Sequence, residues 1–224
     1  MVPPTRDDTL AALQQPAAYP HAAEAIAHHS THISDVFLAG DYAYKLKKPV
    51  DFGFLDFTTL EKRRRACEDE VRLNARLAPE IYLGMVSVCA GDGIRIRPDG
   101  CAGSESLLDV AVRMRRLPEE GLFDRLAQRN ALTRELLLDV AGQIAALHAR
   151  TGHNPALARF ATVEALRAPV QQNFEQTAAF VGSVVSQTDF EALRDWQLGF
   201  LIRHAALFTR RIDSGRIVDG HGDL

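Results

Sequence analysis

The sequence predicts an α+β fold with two lobes, in which a small β-sheet lobe carrying one main helix precedes a helical lobe. Over the first half, short apolar runs alternate with Gly- and Asp-rich turns, a pattern typical of strands. After Pro118 the apolar residues recur at helical spacing almost without interruption. We therefore expect one lobe over residues 1–117 and the other over residues 118–224.

The strands of the first lobe follow an Ala-rich leader. Residues 1–30 are interrupted by prolines and are interpreted as short helices. Residues 36–38 and 42–46 are apolar runs separated by a Gly-Asp pair, so they predict a β-hairpin. Three further strands are predicted at residues 82–88, 94–96 and 110–117.

One long, charged helix is predicted directly after the hairpin. Thr58 and Glu61 have the spacing of a capping box, and an amphipathic pattern continues over residues 60–77. Glu70 is in phase with Leu73 and is therefore expected to face the sheet. A carboxylate in that position is costly unless it meets a cation.

The helical lobe ends in a second predicted long helix. Thr188 and Glu191 have capping-box spacing, and the helix is expected to end near Ser214. Trp196 lies on its apolar stripe and is interpreted as an anchor in the core.

Composition argues against several classes of partner. The 224-residue chain carries a net charge of −3, too little to attract nucleic acid or an anionic membrane. No apolar run reaches the roughly 18 to 20 residues that span a bilayer, and the N-terminus has no signal-peptide core. The three cysteines are odd in number and include no CxxC pair, so neither a disulfide nor a zinc site is predicted. We therefore expect a cytoplasmic protein.

Phosphoryl transfer from ATP needs a lysine that holds phosphate, a glutamate that holds the lysine, an aspartate beside the acceptor hydroxyl, and metal ligands. Lys45 follows Ala43 by two residues on the predicted strand, as in the third-strand motif of kinases. Lys47 lies on the same face and is the alternative. Glu70 is the candidate glutamate, with Glu68 as the alternative on the same helix.

The last six residues of the sequence offer the aspartate. They read Asp-Gly-His-Gly-Asp-Leu, and a His-Gly-Asp run after helices is the form of a kinase catalytic loop. Three residues alone are a weak signal, but Lys45 and Glu70 precede them in the order that a kinase requires. We interpret Asp223 as the catalytic base and His221 as a residue of the same loop.

Two other charged groups have simpler interpretations. His28, His29 and His32 have no cysteine or carboxylate at ligand spacing, so metal binding is not expected. His32 and Ser34 lie just ahead of the hairpin, where a structural or nucleotide-adjacent role is predicted. The basic run at residues 62–65 is flanked by acidic residues, so it predicts a solvated helix face.

The segment at residues 36–48, the helix holding Glu70 and the terminal HGDL together resemble the aminoglycoside phosphotransferase-like kinases. This is a branch of the protein-kinase-like fold whose catalytic loop reads HGDxxxxN. More narrowly, HISDVFLAGDYAYKLKKPVDFGFLDFTTLEKRRRACEDE looks like the start of a bacterial group in which such a domain precedes a P-loop ATP-binding domain. The resemblance covers most of residues 30–224.

The resemblance implies an ATP-dependent phosphotransferase that uses Mg²⁺ and moves the γ-phosphoryl to a hydroxyl group of a small molecule. It makes Lys45 the phosphate-holding lysine, Glu70 its ion-pair partner, Asp223 the base and His221 a support of the loop. The family's loop asparagine and metal-binding aspartate would follow Leu224, and no GxxxxGK[ST] loop occurs. We therefore expect a chain truncated at the catalytic loop, without its P-loop domain and nearly inactive by itself.

An alternative function is a nucleotide-binding or regulatory pseudokinase module that acts with an adjoining P-loop ATP-binding domain. Such a module keeps Lys45 but needs no metal chemistry. A protein kinase is disfavoured because HGD replaces HRD and no GxGxxG loop precedes the hairpin. The acceptor molecule stays open.

In a longer protein that contains the missing loop residues, we predict that Asp223→Ala lowers ATP turnover by about 10²-fold or more, the scale of general-base catalysis. Affinity for ATP should stay within about twofold, because a base beside the acceptor makes little contact with the nucleotide. Steady-state kinetics and a nucleotide titration measure the two quantities. Asp213→Ala is the control, and unchanged turnover in Asp223→Ala would remove this residue from the mechanism.

Overall fold

The computed structural model of the protein describes residues 4–151 and 154–220. The chain divides into two compact units, Met1–Leu137 and Leu138–Leu224. The first contains a six-stranded sheet, and the described residues of the second are mainly helical. The predicted α+β class is confirmed. The domain boundary expected at residue 117 stays a prediction.

The sheet is antiparallel throughout, with strand order β1-β2-β3-β6-β4-β5. The predicted hairpin is confirmed, and Gly40 occupies its turn with a φ of 55°, a conformation that glycine adopts without steric cost. The strands are β1 Ile26–Ser30, β2 Ser34–Ala39, β3 Tyr42–Lys47, β4 Tyr82–Gly91, β5 Gly93–Arg97 and β6 Ser106–Arg115.

Strand β1 corrects the interpretation of the leader. Residues 26–30 were expected to be helical, but they pair with β2 over five consecutive positions from Ile26 to Ser30. The earlier part of the leader does contain a helix, α1 (Arg6–Leu13). The prediction was wrong at β1 because hydrogen bonds to a neighbouring strand override weak local preferences.

One face of the sheet is covered by the leader. Leu13 of α1 is fully buried and belongs to the same core as Phe37, Tyr44 and Leu46 of the hairpin. Successive side chains of a strand point to opposite faces. The residues that alternate with Tyr44 and Leu46 in β3 therefore lie on the other face.

Helix α2 (Leu60–Asn74) covers part of that other face. Cys67 is fully buried and packs with Val110 and Val112 of β6. Leu73, which was expected to point toward the sheet, is 39% exposed. The sheet-facing stripe is thus centred on Cys67, and Glu70, one turn further along, lies on it.

The start of α2 differs from the predicted capping box. Thr59 is the N-cap, and its side chain accepts a hydrogen bond from the backbone N–H of Lys62. Thr58 instead donates its N–H and its hydroxyl to Asp56. The prediction was wrong by one residue because Asp56 holds Thr58 in the preceding turn.

A buried ion network connects α1, α2 and β6. Asp109 accepts hydrogen bonds from Arg63 Nε at 2.9 and 3.1 Å and from Arg6 Nη1 at 3.4 Å. Arg6 also donates to Asp35 of β2 at 2.7 Å. The solvated face predicted for residues 62–65 was therefore wrong at Arg63, which is buried with Asp109. A run of like charges in sequence does not reveal which member meets a buried carboxylate.

Two of the cysteines form a disulfide, so the expectation of none was wrong. Cys89 and Cys101 are bonded with their Cα atoms 5.5 Å apart, while Cys67 is free and buried. The loop between β5 and β6 folds back toward β4, and Arg97 pairs with Glu105 across it. Spacing alone could not show this approach, because it depends on how that loop folds.

The helices after β6 are α3 Phe123–Gln128, α4 Arg134–Thr151, α5 Val163–Thr177, α6 Gln187–Arg203 and α7 Ala205–Asp213. The predicted last helix is divided at His204, and α6 begins after the N-cap Ser186 rather than at Thr188. Trp196 is 60% exposed, so its prediction as a core anchor was wrong. Helical periodicity indicates an apolar stripe but not what covers it.

None of the described helices has the length and apolar character needed to cross a bilayer.

We predict that Arg63→Met lowers the free energy of unfolding by about 3 kcal/mol, because the buried carboxylate of Asp109 loses its closer ion pair and keeps the longer contact to Arg6 and the backbone N–H of Val110. Urea denaturation measures the loss. The matched control is Arg64→Met on the next residue, whose exposed pair with Glu68 contributes less than about 1 kcal/mol. Equal losses of unfolding free energy in the two variants would show that the buried pair of Arg63 stabilises the fold no more than an exposed ion pair does.

Candidate functional site

The candidate site is built on the face of β2 and β3 that lies opposite the α1 core. Lys45 and Lys47 alternate with the buried Tyr44 and Leu46 and share this face. In the ladder between the strands, Lys47 is paired with Ser34. Side chains directly opposite in an antiparallel pair point to the same side. Both ammonium groups and the Ser34 hydroxyl therefore belong to one surface.

Glu70 of α2 joins the two lysines. Lys45 Nζ donates to its Oε1 at 2.9 Å, and Lys47 Nζ donates to its Oε2. The Lys45 side chain is 29% exposed, whereas those of Lys47 and Glu70 are 7% and 9% exposed. The three predicted residues thus form one cluster, in which Lys45 is the most accessible group. Glu68, the alternative to Glu70, forms an exposed pair with Arg64.

The electrostatics of the cluster depend on Glu70. Burial raises the pKa of its carboxyl group, but the hydrogen bonds from Lys47 and Lys45 outweigh burial, so the pKa lies below the ordinary value. Burial, together with the charge of Glu70, raises the pKa of Tyr82. Two lysines and one carboxylate leave a net positive charge on this part of the sheet. The arrangement is suited to an anion.

The cysteine behind the cluster is not a nucleophile at neutral pH. Burial raises the pKa of the Cys67 thiol to about 12. Only a thiolate is strongly nucleophilic, and Cys67 is fully buried. Its place is in the packing between α2 and β6.

An apolar cavity lies on the same face of the sheet, two residues along β3 from Lys45. Ala43 contributes to its wall, and its volume of about 520 Å³ lies within the range of small-molecule sites. Acidic and basic side chains, among them Glu119 and Arg116, form another part of the lining. The other apolar lining residues include Leu38, Ile81, Tyr82, Met114, Leu117 and Leu122. The first unit therefore combines a cationic cluster with an apolar cavity.

Ser34, for which the sequence predicts a structural or nucleotide-adjacent role, lies beside the lysine cluster. It is 1% exposed, and in the described part of the chain its Oγ has no hydrogen-bond partner. An unsatisfied buried hydroxyl costs about 1 to 3 kcal/mol, so such a group is uncommon in a folded protein. Its place just ahead of the hairpin is the sequence signal for this residue, and that signal does not separate a structural role from a nucleotide-adjacent one.

The three histidines near the hairpin are separated by the structure. His28 contacts Asp35 Oδ1 at 3.1 Å and stacks on Phe37, on the α1 side of the sheet. His29 contributes to the cavity wall, and His32 is exposed in the turn between β1 and β2. Within residues 4–151 and 154–220, no group of three or more His, Cys, Asp or Glu side chains could hold a metal ion.

The predicted catalytic-loop residues His221 and Asp223 lie outside the described residues. The chain just before them approaches the end of α4. A Cβ atom added to Gly220 would lie 3.2 Å from Nε2 of His148. A residue with a Cβ atom at position 220 would therefore require the imidazole to shift by a few tenths of an ångström.

Comparison with known proteins identifies relatives whose activity is not described. One protein of Mycobacterium bovis and two of Mycobacterium tuberculosis, all named only as uncharacterized, are 32% identical to this chain over 194 residues. The match covers 87% of this chain but 36% of each relative, so the chain spans little more than a third of their length. No family model matches the sequence. No solved structure matches it either.

We predict that Glu70→Gln destabilises the protein at neutral pH and that its difference from wild type shrinks on acidification. A carboxyl group whose pKa is lower in the folded state stabilises the fold above its unfolded pKa, near 4.3 for glutamate. That contribution is lost as the pH falls through the lower, folded pKa. Denaturant unfolding at pH 7 and below pH 4 measures the effect.

Glu68→Gln is the matched control for this prediction, because Glu68 lies on the same helix in an exposed pair with Arg64. It should change stability little at either pH. A Glu70→Gln effect that is independent of pH would show that the ionised carboxylate is not what stabilises the cluster.

Proposed function

We propose that the chain contains the nucleotide-binding part of an ATP-dependent phosphotransferase of the aminoglycoside phosphotransferase-like type, with a protein-kinase-like fold. The reaction would move the γ-phosphoryl of ATP to a hydroxyl group of a small molecule. The observation that carries this proposal is the contact of 2.9 Å between Lys45 and Glu70 beside an apolar cavity.

The position of this pair in the fold supports the proposal. In kinases the phosphate-holding lysine lies on the third strand, and its glutamate partner lies on the following helix. Here Lys45 lies on β3 and Glu70 on α2, which is the next helix in the chain. The chain then passes through β4, β5 and β6 and continues along the cavity at Arg116 and Leu117.

The cavity offers a surface for the base of a nucleotide. Ala43 presents a small side chain on the face that also bears Lys45, so a flat ring can approach the strand closely. Residues two apart on a strand are separated by about 7 Å. A nucleotide whose base contacts Ala43 can therefore extend its phosphates along the strand toward Lys45.

The charges at the other end of this face fit phosphate. Lys45 and Lys47 outnumber Glu70, so the cluster attracts an anion even though one carboxylate is present. The exposed part of Lys45 is available to a ligand. The face thus changes from an apolar cavity at Ala43 to a cationic cluster at Lys45, which supports a nucleotide rather than an uncharged ligand.

The remaining roles rest on the resemblance in sequence. Asp223 would accept the proton of the attacking hydroxyl, and His221 would support the loop. Mg²⁺ would neutralise charge on the transferred phosphoryl. By the same resemblance, the family's metal-binding residues would follow Leu224. A small-molecule acceptor and a P-loop ATP-binding domain are the proposed partners.

We predict that the 224-residue chain binds ATP and that Lys45→Met weakens this binding at least tenfold, because one charge-assisted hydrogen bond to phosphate is lost. Isothermal titration calorimetry with ATP and excess Mg²⁺ measures the affinity. The control is Lys62→Met, which removes an equal charge from an exposed pair with Asp56.

A second variant tests the cavity. Ala43→Leu places a larger side chain where the base is proposed to lie and should also weaken ATP binding at least tenfold. Circular dichroism shows whether the variant remains folded. Absence of ATP binding by the wild-type chain, or equal affinity in wild type and Lys45→Met, would contradict the proposal.

A further inference from the structure

Lys47 has surroundings that differ from those of Lys45, although both contact Glu70. Its side chain is 7% exposed, against 29% for Lys45. Its Nζ lies 5.5 Å from the centroid of the Phe57 ring, a distance that allows a cation–π contact. Lys47 is therefore enclosed by protein, while Lys45 keeps an accessible side.

The two lysines divide the Glu70 carboxylate between them. Lys45 donates to Oε1 and Lys47 donates to Oε2, so each oxygen has its own ammonium group. A phosphate that attracts Lys45 competes with Oε1 for the same ammonium. If Lys45 were the sole cation, this competition would leave a buried carboxylate poorly compensated, which is strongly unfavourable. Lys47 removes that conflict because its contact does not depend on Lys45.

We propose that Lys47 is a positioning residue that holds the Glu70 carboxylate and α2 in place while Lys45 turns to phosphate. This inference rests on the proposed function, since it concerns ATP binding at the same site. It assigns different roles to two lysines that the sequence presents as alternatives. Lys45 contacts the ligand, and Lys47 acts through Glu70.

Burial distinguishes this role from direct phosphate binding by both lysines. Lys47 has little free surface, and Glu70 and Phe57 already contact its ammonium group. Ser34, directly opposite in the ladder, is itself 1% exposed. A ligand would have to displace protein groups to reach Lys47, whereas Lys45 can be reached directly.

A double-mutant cycle on the 224-residue chain tests the inference. ATP affinity, with excess Mg²⁺, is measured by calorimetry for wild type, Lys47→Met, Glu70→Gln and the double variant. In the wild-type background Lys47→Met should weaken ATP binding about tenfold, within the usual range for coupled sites. In the Glu70→Gln background the same Lys47→Met substitution should change ATP affinity by less than about twofold, because no carboxylate then competes for Lys45.

The control is Lys62→Met, which removes one positive charge from α2 without touching Glu70 and should leave ATP affinity unchanged. Circular dichroism and thermal melting show whether each variant is folded. If Lys47→Met does not fold, Lys47→Gln serves in its place, because its amide can still donate to Glu70 but carries no charge. Lys47→Arg, which keeps the cation, should retain most of the affinity.

Each result decides between the roles. An equal loss from Lys47→Met in both backgrounds would show that Lys47 binds phosphate directly and would overturn the inference. If Lys47→Met and Lys62→Met bind ATP equally well, the inference about Lys47 is also overturned, but the proposed function is not. Absence of ATP binding by wild type would overturn the proposed function and this inference together.

Discussion

The carboxylate of Glu70 is the constraint on which the candidate site depends. It lies almost fully buried between α2 and β3, where an ionised group is stable only if cations accompany it. Two lysines supply that charge, and their hydrogen bonds keep the pKa of Glu70 low in spite of burial. The position of α2, the ionisation of Glu70 and the direction of Lys45 are therefore set by the same contacts.

Helix α2 is fixed at two further points on the same stripe. Arg63 pairs with Asp109 of β6, and Cys67 is fully buried between Arg63 and Glu70. Arg63 and Glu70 are about two helical turns apart, so they point to nearly the same side of the helix. The buried pair of Arg63 holds the beginning of the helix against the sheet, and Glu70 holds its last third. Together they determine where the lysine cluster can form.

Much of the sheet and part of the site could be predicted from the sequence. The hairpin, the shared face of Lys45 and Lys47, and a sheet-facing Glu70 follow from alternation in strands and helical phase, which are local properties. The β1 strand, the disulfide between Cys89 and Cys101 and the burial of Arg63 did not follow. Each depends on a contact with a part of the chain outside the local segment or on the path of a loop.

The sequence by itself determined that the chain has an α+β fold and that two lysines on one strand precede a glutamate on the next helix. Alternation along the strand could not separate Lys45 from Lys47, because residues two apart are equivalent in phase, and the spacing from Ala43 favoured Lys45. Only the tertiary structure made them different, since Lys47 is enclosed beside Phe57 while Lys45 stays partly accessible. Burial is a property of everything that packs around a side chain, and periodicity along the chain does not contain it.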